Sequence, residues 1–372
     1  MLQDRFAGHF SSGPARKFQG WNLSLLSDAC VGRSHRSDLA KKKLKAVIDR
    51  TKTLLKLPEE FVLGIVTGSA TGAVETAIWN LIGEVPVVCH VVDVFSQLWA
   101  DDVIALPVDA KVLKPAQWGE LPPLDYDAKA DLIITLNAST SGTYYDDLSW
   151  IPTERNNLVI ADATSSAFAI PVDYNKIDAY CFSWQKGLGG EAAHGMVALS
   201  KRALQKLERY TPEWAIPRLL KLKRDDKIHY PIFEGVITNT PSMLCVEDSI
   251  VCLDWAERVG GLDGMIAKSL HNLETLKKHV TQGEVFRFSS STPSNTTPCI
   301  IVKAFEHMPM DEHFDILRRI ASKVAGEGIA VDIVNHPSAF PAFRLWCGST
   351  TESKDLDVLL PILAQEVKRY FE

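Results

Sequence analysis

No stretch of the 372-residue chain is apolar for long enough to cross a bilayer as a helix. The longest runs, such as the one through Val85–Val92, fall far short of the ~20 residues a spanning helix needs. Basic excess is missing too: 40 Lys and Arg stand against 46 Asp and Glu, a net charge of -6. That balance gives no general attraction to nucleic acid or to anionic lipid, so neither is expected as a partner. Cysteine is scarce and unpatterned. The seven residues (30, 89, 181, 245, 252, 299 and 347) are odd in number and form no CxxC pair. Cys89, Cys181 and Cys299 fall in apolar, strand-like runs, where a thiol behaves as a small buried hydrophobe. Met1–Phe10 contains Asp4, Arg5 and His9 and no continuous apolar core, so no secretory leader is read. These absences point to a reduced, cytoplasmic protein. Internal repeats and low-complexity tracts are also lacking.

What is present suits a large core, with 46% of positions hydrophobic. The first two-thirds alternate short β-branched runs with amphipathic stretches, the pattern of a mostly parallel sheet with crossover helices. Strands are expected at Val62–Val66, Val85–Val92, Leu132–Leu136, Leu158–Ala161, Ala179–Ser183 and Met196–Leu199. Gly72–Ile82 reads as a helix, with Val74, Ala77, Ile78 and Leu81 on one face. Long helices are expected over Met243–Arg258 and Leu262–Val280. Beyond them the texture changes to a compact α+β unit: strand Cys299–Phe305, helix His313–Ala325, strand Phe343–Cys347 and helix Leu356–Phe371. The expected domains are residues 1–260 and 261–372.

The chemistry gathers in Ile177–Ser200. A strand delivers Ser183-Trp184-Gln185-Lys186, and Gly187, Gly189 and Gly190 then break regular structure. A lysine ending a buried strand is unusual, because an unpaired buried ammonium costs several kcal/mol. Keeping the amine neutral, or consuming it in an imine, avoids that cost and makes it a carbonyl nucleophile. The plainer reading is a surface lysine opening a glycine loop. Upstream, Asp162 follows the strand Leu158–Ala161, at the strand end where open α/β sheets put ligands. A carboxylate there either caps the next turn or holds a protonated pyridine nitrogen. The turn Val66-Thr67-Gly68-Ser69-Ala70-Thr71-Gly72 offers helix N-terminal N–H groups and two hydroxyls to a phosphate. It has neither the Walker lysine nor G-x-G-x-x-G, so a nucleotide site is not supported. Trp99 either stacks on an aromatic ligand or belongs to the core. Asn137-Ala138-Ser139-Thr140 offers hydroxyls to a phenolate oxygen or forms a turn. His194 has no second histidine at metal-ligand spacing, and no metal is expected.

Taken in order, FSSGPA (Phe10–Ala15), SHRS (Ser34–Ser37), SWQKG (Ser183–Gly187), NTPS (Asn239–Ser242) and the arginine strand at Arg344 give a family likeness. The chain resembles the class V aminotransferases of fold type I, and among them most closely the phosphoserine aminotransferases. The resemblance implies an α/β fold with a mostly parallel seven-stranded sheet in the large domain and a smaller C-terminal α+β domain. It implies pyridoxal 5′-phosphate (PLP) as cofactor, with Lys186 binding the aldehyde and Asp162 the pyridine nitrogen. Trp99 would stack on the ring, Ser139 or Thr140 would meet the 3′-oxygen, and Ser69, Ala70, Thr71 and Gln185 would bind the phosphate. Asn239 and Thr240 would reach that phosphate from a neighbouring subunit, implying a homodimer with shared active sites. His35 and Arg36 would recognise the phosphate of phosphoserine or the distal carboxylate of glutamate, and Arg344 the α-carboxylate. Where many relatives carry His-Arg before the last arginine, this chain has Asn335-His336-Pro337, so His336 or Arg33 would take over that contact.

The implied activity is ping-pong transamination between L-glutamate and 3-phosphohydroxypyruvate, in L-serine biosynthesis and in pyridoxine biosynthesis. The rivals are an alanine–glyoxylate-type aminotransferase, a cysteine desulfurase and a non-catalytic protein of the same fold. A desulfurase needs a mobile cysteine near the carboxyl end, whereas Cys347 is expected in an apolar strand.

Overall fold

The computed structural model describes residues 10–371. The reading of Met1–Phe10 as leaderless therefore lies, Phe10 apart, outside the described residues. In chain order the first part contains α1 (Asp38–Leu54), β1 (Val62–Thr67), α2 (Ser69–Leu81), β2 (Val87–His90), α3 (Val94–Ala105), β3 (Ala110–Leu113) and β4 (Asp131–Thr135). A small ribbon follows, β5 (Asn137–Ala138) with β6 (Thr143–Tyr144), and then β7 (Val159–Asp162), β8 (Ala179–Ser183), β9 (His194–Leu199) and α4 (Lys201–Arg209).

Seven strands make one sheet in the order β1-β9-β8-β7-β4-β2-β3. Strand β9 runs antiparallel to both its neighbours, and the remaining pairs are parallel. Every residue of β2, β4, β7 and β8 is buried, which is why they read as continuous apolar runs. Alternation then sorts their side chains. Leu132, Ile134, Val159, Ala161, Tyr180 and Phe182 join one apolar cluster with α1 and a later helix. Ile133, Ile160, Ala179 and Cys181 join a second with α2, α3 and α4. The expected sheet is there, with one strand the sequence reading missed. Edge strand β3 has no fully buried residue, so Ala-Lys-Val-Leu carries no apolar run.

A hairpin, β10 (Lys223–Arg224) with β11 (Lys227–Ile228), leads to α5 (Met243–Arg258) and α6 (Gly261–Gln282). Then come β12 (Phe286–Phe288), β13 (Cys299–Val302), α7 (Met310–Gly326), β14 (Phe343–Arg344) and α8 (Ser353–Arg369). Strands β12, β13 and β14 form a three-stranded sheet. Its apolar cluster takes Leu276 and Val280 from α6, Leu317 from α7 and Leu359 from α8, and also Phe10 from the far end of the chain.

Two strands are shorter than expected. β13 stops at Val302 because Lys303–Phe305 winds into a 3-10 turn. β14 stops at Arg344 because the next three N–H groups turn to Pro298, Phe10 and Thr296 carbonyls. Cys347 is thus not in a strand, yet it is fully buried, and burial pushes its thiol pKa up. α2 begins at Ser69, ahead of the expected Gly72.

Candidate active site

Because β1, β2, β4, β7 and β8 point the same way, their carboxyl ends collect at one sheet edge, where α/β folds hold ligands. The segments leaving them enclose a cavity of about 140 Å³. Ser69, Ala70 and Thr71 come from β1's exit, Phe95 and Trp99 from β2's, and Thr135, Asn137 and Ser139 from β4's. Asp162, Thr164 and Ser165 follow β7, and Gln185 and Lys186 follow β8. A larger cavity of about 430 Å³ opens nearby, between Val91, Leu98 and Trp118. Its lining is mainly apolar, with Asp93, Gln97, Lys114, Gln117 and Ser338 as its polar residues.

Lys186 is 9% exposed, and its Nζ donates to the carbonyl oxygen of Ser12. The sequence signalled the Ser12 region only through the FSSGP likeness. Burial first, then the Arg344 guanidinium, lowers the Lys186 pKa to about 8, with Asp162 and Asp332 opposing. The amine is therefore available in neutral form far below the usual range of lysine.

Asp162 ends β7, buried. Its Oδ1 accepts from the Thr164 N–H at 2.9 Å and from the Thr164 hydroxyl. Its Oδ2 accepts from the Trp99 indole N–H at 2.8 Å. Burial pushes its pKa up, against Thr164, Trp99 and Lys186. No cationic group contacts it among the described residues. Such a carboxylate is short of a positive partner.

At the other end, Gly68 takes φ +80° and no side chain caps α2; the Ser69 N–H donates to the Ala193 carbonyl oxygen at 3.3 Å, which leaves the Ala70 and Thr71 N–H groups of the first turn for a ligand. Ser69 itself adopts φ +59°, a conformation costing a non-glycine residue about 1–3 kcal/mol and concentrated at functional sites. The backbone behind it is tight. A Cβ on Gly195 would come 2.2 Å from the Ser69 carbonyl oxygen. Gln185 Nε2 donates to Ser69 Oγ at 2.8 Å, while Gln185 Oε1 and the Thr135 hydroxyl are buried with no partner.

The candidates Ser139 and Thr140 separate. Ser139 lines the cavity, 2.8 Å from Ser165 Oγ. Thr140 does not: its hydroxyl accepts from Val94 N–H at 3.1 Å and its N–H donates to Asp93. Asp93, Phe95, Thr135 and Thr164 were missed. For Phe95 the available signal was its spacing, one helical turn before Trp99. Arg344, on β14, has a buried, unpartnered Nε and acts on Lys186 through charge. His336 lies edge-on to Phe95, with ring centroids 6.4 Å apart. His35 and Arg36 sit on the surface turn before α1, and Asn239 and Thr240 on the loop before α5. None of these four, nor Arg33, lines this chain's cavity.

No family model matches the chain. The phosphoserine aminotransferase of Methanosarcina mazei is 40% identical over 360 residues, and that of Methanosarcina barkeri 40% over 362, with 94% of each chain covered in both cases. PLP-bound phosphoserine aminotransferase from Trichomonas vaginalis superposes with a TM-score of 0.79 at 20% identity, covering 96% of this chain and 99% of that one. Alanine–glyoxylate aminotransferase from Nostoc gives 0.75 at 17%, covering 97% and 94%. The two structures speak for the fold, which is fold type I. The Methanosarcina sequences go further, and by them the chain belongs to the phosphoserine aminotransferase family.

Proposed function

We propose that the chain is a PLP-dependent phosphoserine transaminase, moving the amino group of L-glutamate to 3-phosphohydroxypyruvate to give O-phospho-L-serine and 2-oxoglutarate. The observation that carries this is the cavity in which Lys186, its pKa lowered to about 8, shares the walls with the cation-poor carboxylate of Asp162 and the uncapped start of α2. These residues fit PLP. Asp162 wants a positive partner and a protonated pyridine nitrogen is one. The orphaned Gln185 and Thr135 oxygens and the Ala70 and Thr71 N–H groups at the start of α2 are polar atoms that suit a phosphate and ring substituents.

When bound, PLP supplies an electron sink that lets the substrate's Cα–H bond ionise. The chain does the rest. Lys186 Nζ, as a neutral amine, takes the α-proton from the amino donor in the first half-reaction and, as an ammonium, delivers a proton to the product's α-carbon in the second. Asp162, oriented by Thr164 and Trp99, would hold the protonated pyridine nitrogen. Trp99 would cover the ring, Ser139 rather than Thr140 would meet the 3′-oxygen, and Ser69, Ala70, Thr71 and Gln185 would hold the phosphate. Arg344 takes the α-carboxylate through a planar fork of donors. His336 takes part in recognising the distal anionic group.

The same reading gives Asn239 and Thr240 to the cavity of a second copy, making a homodimer with shared sites, and gives His35 and Arg36 to the substrate's distal phosphate or carboxylate. None of these four, and neither Arg344 nor His336, is among the residues lining this chain's cavity. A division of the chain into residues 1–260 and 261–372 is part of the same reading; the later helices have an apolar cluster of their own from Leu276 onward, although Met265 on α6 still packs with the large domain's cluster. A cytoplasmic setting agrees with the absence of any membrane-length apolar helix among the described residues. The test is a comparison of amino donors on purified holoenzyme. Phosphoserine should exceed serine, alanine and cysteine by orders of magnitude in kcat/KM. Preference for alanine with glyoxylate would overturn the assignment.

A further inference from the structure

A second polar pocket, of about 340 Å³, lies away from the cavity around Lys186, with Arg218, Lys221, Lys223, Arg224, Asp225 and Thr238 as its walls. Four cations against one carboxylate is a marked local excess in a chain whose net charge is -6. Arg218, Lys221 and Arg224 are exposed and enter no ion pair among the described residues, whereas nearby Arg209 is paired with Glu84 at 2.7 Å. Lys223 is 7% exposed, and its ammonium is held by neutral oxygens alone, Tyr210 O at 3.2 Å and Thr211 Oγ1 at 3.0 Å.

The backbone that carries these side chains is held firmly. Buried Asn80, on α2, donates to Leu220 O at 2.7 Å and accepts from Leu222 N–H at 3.0 Å. Hairpin β10–β11 then turns through Asp225 and Asp226 at φ +49° and +57°. Unpaired cations on an immobilised, concave backbone are what an anion site requires, since little ordering remains to be done on binding.

We infer that this pocket is a docking site for small, multiply charged anions of the phosphate monoester or dicarboxylate class, and that it collects substrate before catalysis. The second half rests on the transaminase reading, in which every substrate is such an anion. Asn80 is eleven residues along α2 from Ser69, or about 16 Å at the helical rise, so the pocket is not part of this chain's own cavity. Thr238 instead adjoins Asn239 and Thr240, which that reading gives to a second copy's cavity. The pocket then sits at the approach to that copy's site. Cations grouped there raise the local concentration of anionic substrate in a salt-dependent way.

The test uses holoenzyme carrying Arg218→Gln, Lys221→Gln and Arg224→Gln together. Calorimetric titration with inorganic phosphate should detect a site in the unaltered enzyme that the triple variant has lost. With phosphoserine at low salt, kcat/KM of the variant should fall about ten-fold, the lower end of what electrostatic steering supplies, with kcat and cofactor content unchanged. Its dependence on salt should flatten. Identical phosphate isotherms, or an unchanged salt dependence in an active enzyme, would overturn the inference. If the unaltered enzyme does not turn over phosphoserine, the functional reading fails, and the phosphate titration alone decides about the pocket.

Discussion

Replacing Asp93 by Asn separates two jobs that one carboxylate performs beside the cofactor cavity. Asp93 Oδ1 accepts the Ser96 N–H at 2.9 Å and so caps α3, the helix that carries Phe95 and Trp99. Its Oδ2 accepts the Thr140 N–H at 3.2 Å and so ties down the loop that carries Asn137 and Ser139. Asp93 is therefore a positioning residue for two walls of the cavity. Asn keeps one acceptor oxygen for the cap and turns an NH2 toward the Thr140 N–H, leaving a buried donor unsatisfied. That costs about 1–3 kcal/mol. If about half of it appears as lost cofactor binding, PLP affinity falls roughly two- to twelve-fold, since 1.4 kcal/mol is a factor of ten. The helix cap and most of the thermal stability are retained. Asp93→Ala loses both contacts and adds about 1 kcal/mol for the missing cap. The assay is reconstitution of apoenzyme followed by the visible cofactor band, with Tm measured alongside. An Asn variant that binds PLP as tightly as the unaltered chain, or one as destabilised as the Ala variant, would refute the division of labour.

Three further outcomes are expected. Capture of PLP by apoenzyme should accelerate as pH rises with a midpoint near 8, because burial lowers the Lys186 pKa to about 8; a midpoint near 10.5, the ordinary value of lysine, would contradict the burial argument. Gly195→Ala should weaken PLP binding, because the new Cβ would lie 2.2 Å from the Ser69 carbonyl oxygen and 2.8 Å from Ala73 Cβ. Overpacking of this kind costs about 1–3 kcal/mol, and unchanged affinity in a folded variant would show that the turn yields. Arg344→Lys should raise KM for both amino donors at least ten-fold, since an ammonium cannot reproduce the bidentate contact; equal KM values would remove Arg344 from substrate binding.

The parallel core was legible because strands buried on both faces must be apolar throughout. β3 was not, being an edge strand with polar and half-exposed positions. Lys186 and Asp162 were visible as charged residues at the ends of apolar runs, where a charge is costly unless it is used. Ser139 and Thr140 could not be told apart, since both offer a hydroxyl. Only the fold turns one into the cavity and the other toward Val94. Asp93 went unnoticed because an N-capping aspartate is ordinary, and its second tie, to Thr140, spans 47 positions of sequence. Nor does local patterning reveal that Ser12 meets Lys186, 174 positions away. Phe10, buried among the later helices, anchors that segment, and a long-range contact of this kind leaves no periodicity.

The central claim is that one amine, Lys186 Nζ, is where PLP attaches. Borohydride reduction of holoenzyme followed by peptide mass mapping tests it most directly. The cofactor mass should be found on the peptide containing Lys186, and reduced protein should be inactive with phosphoserine. Cofactor on another lysine, or on none, would contradict the account.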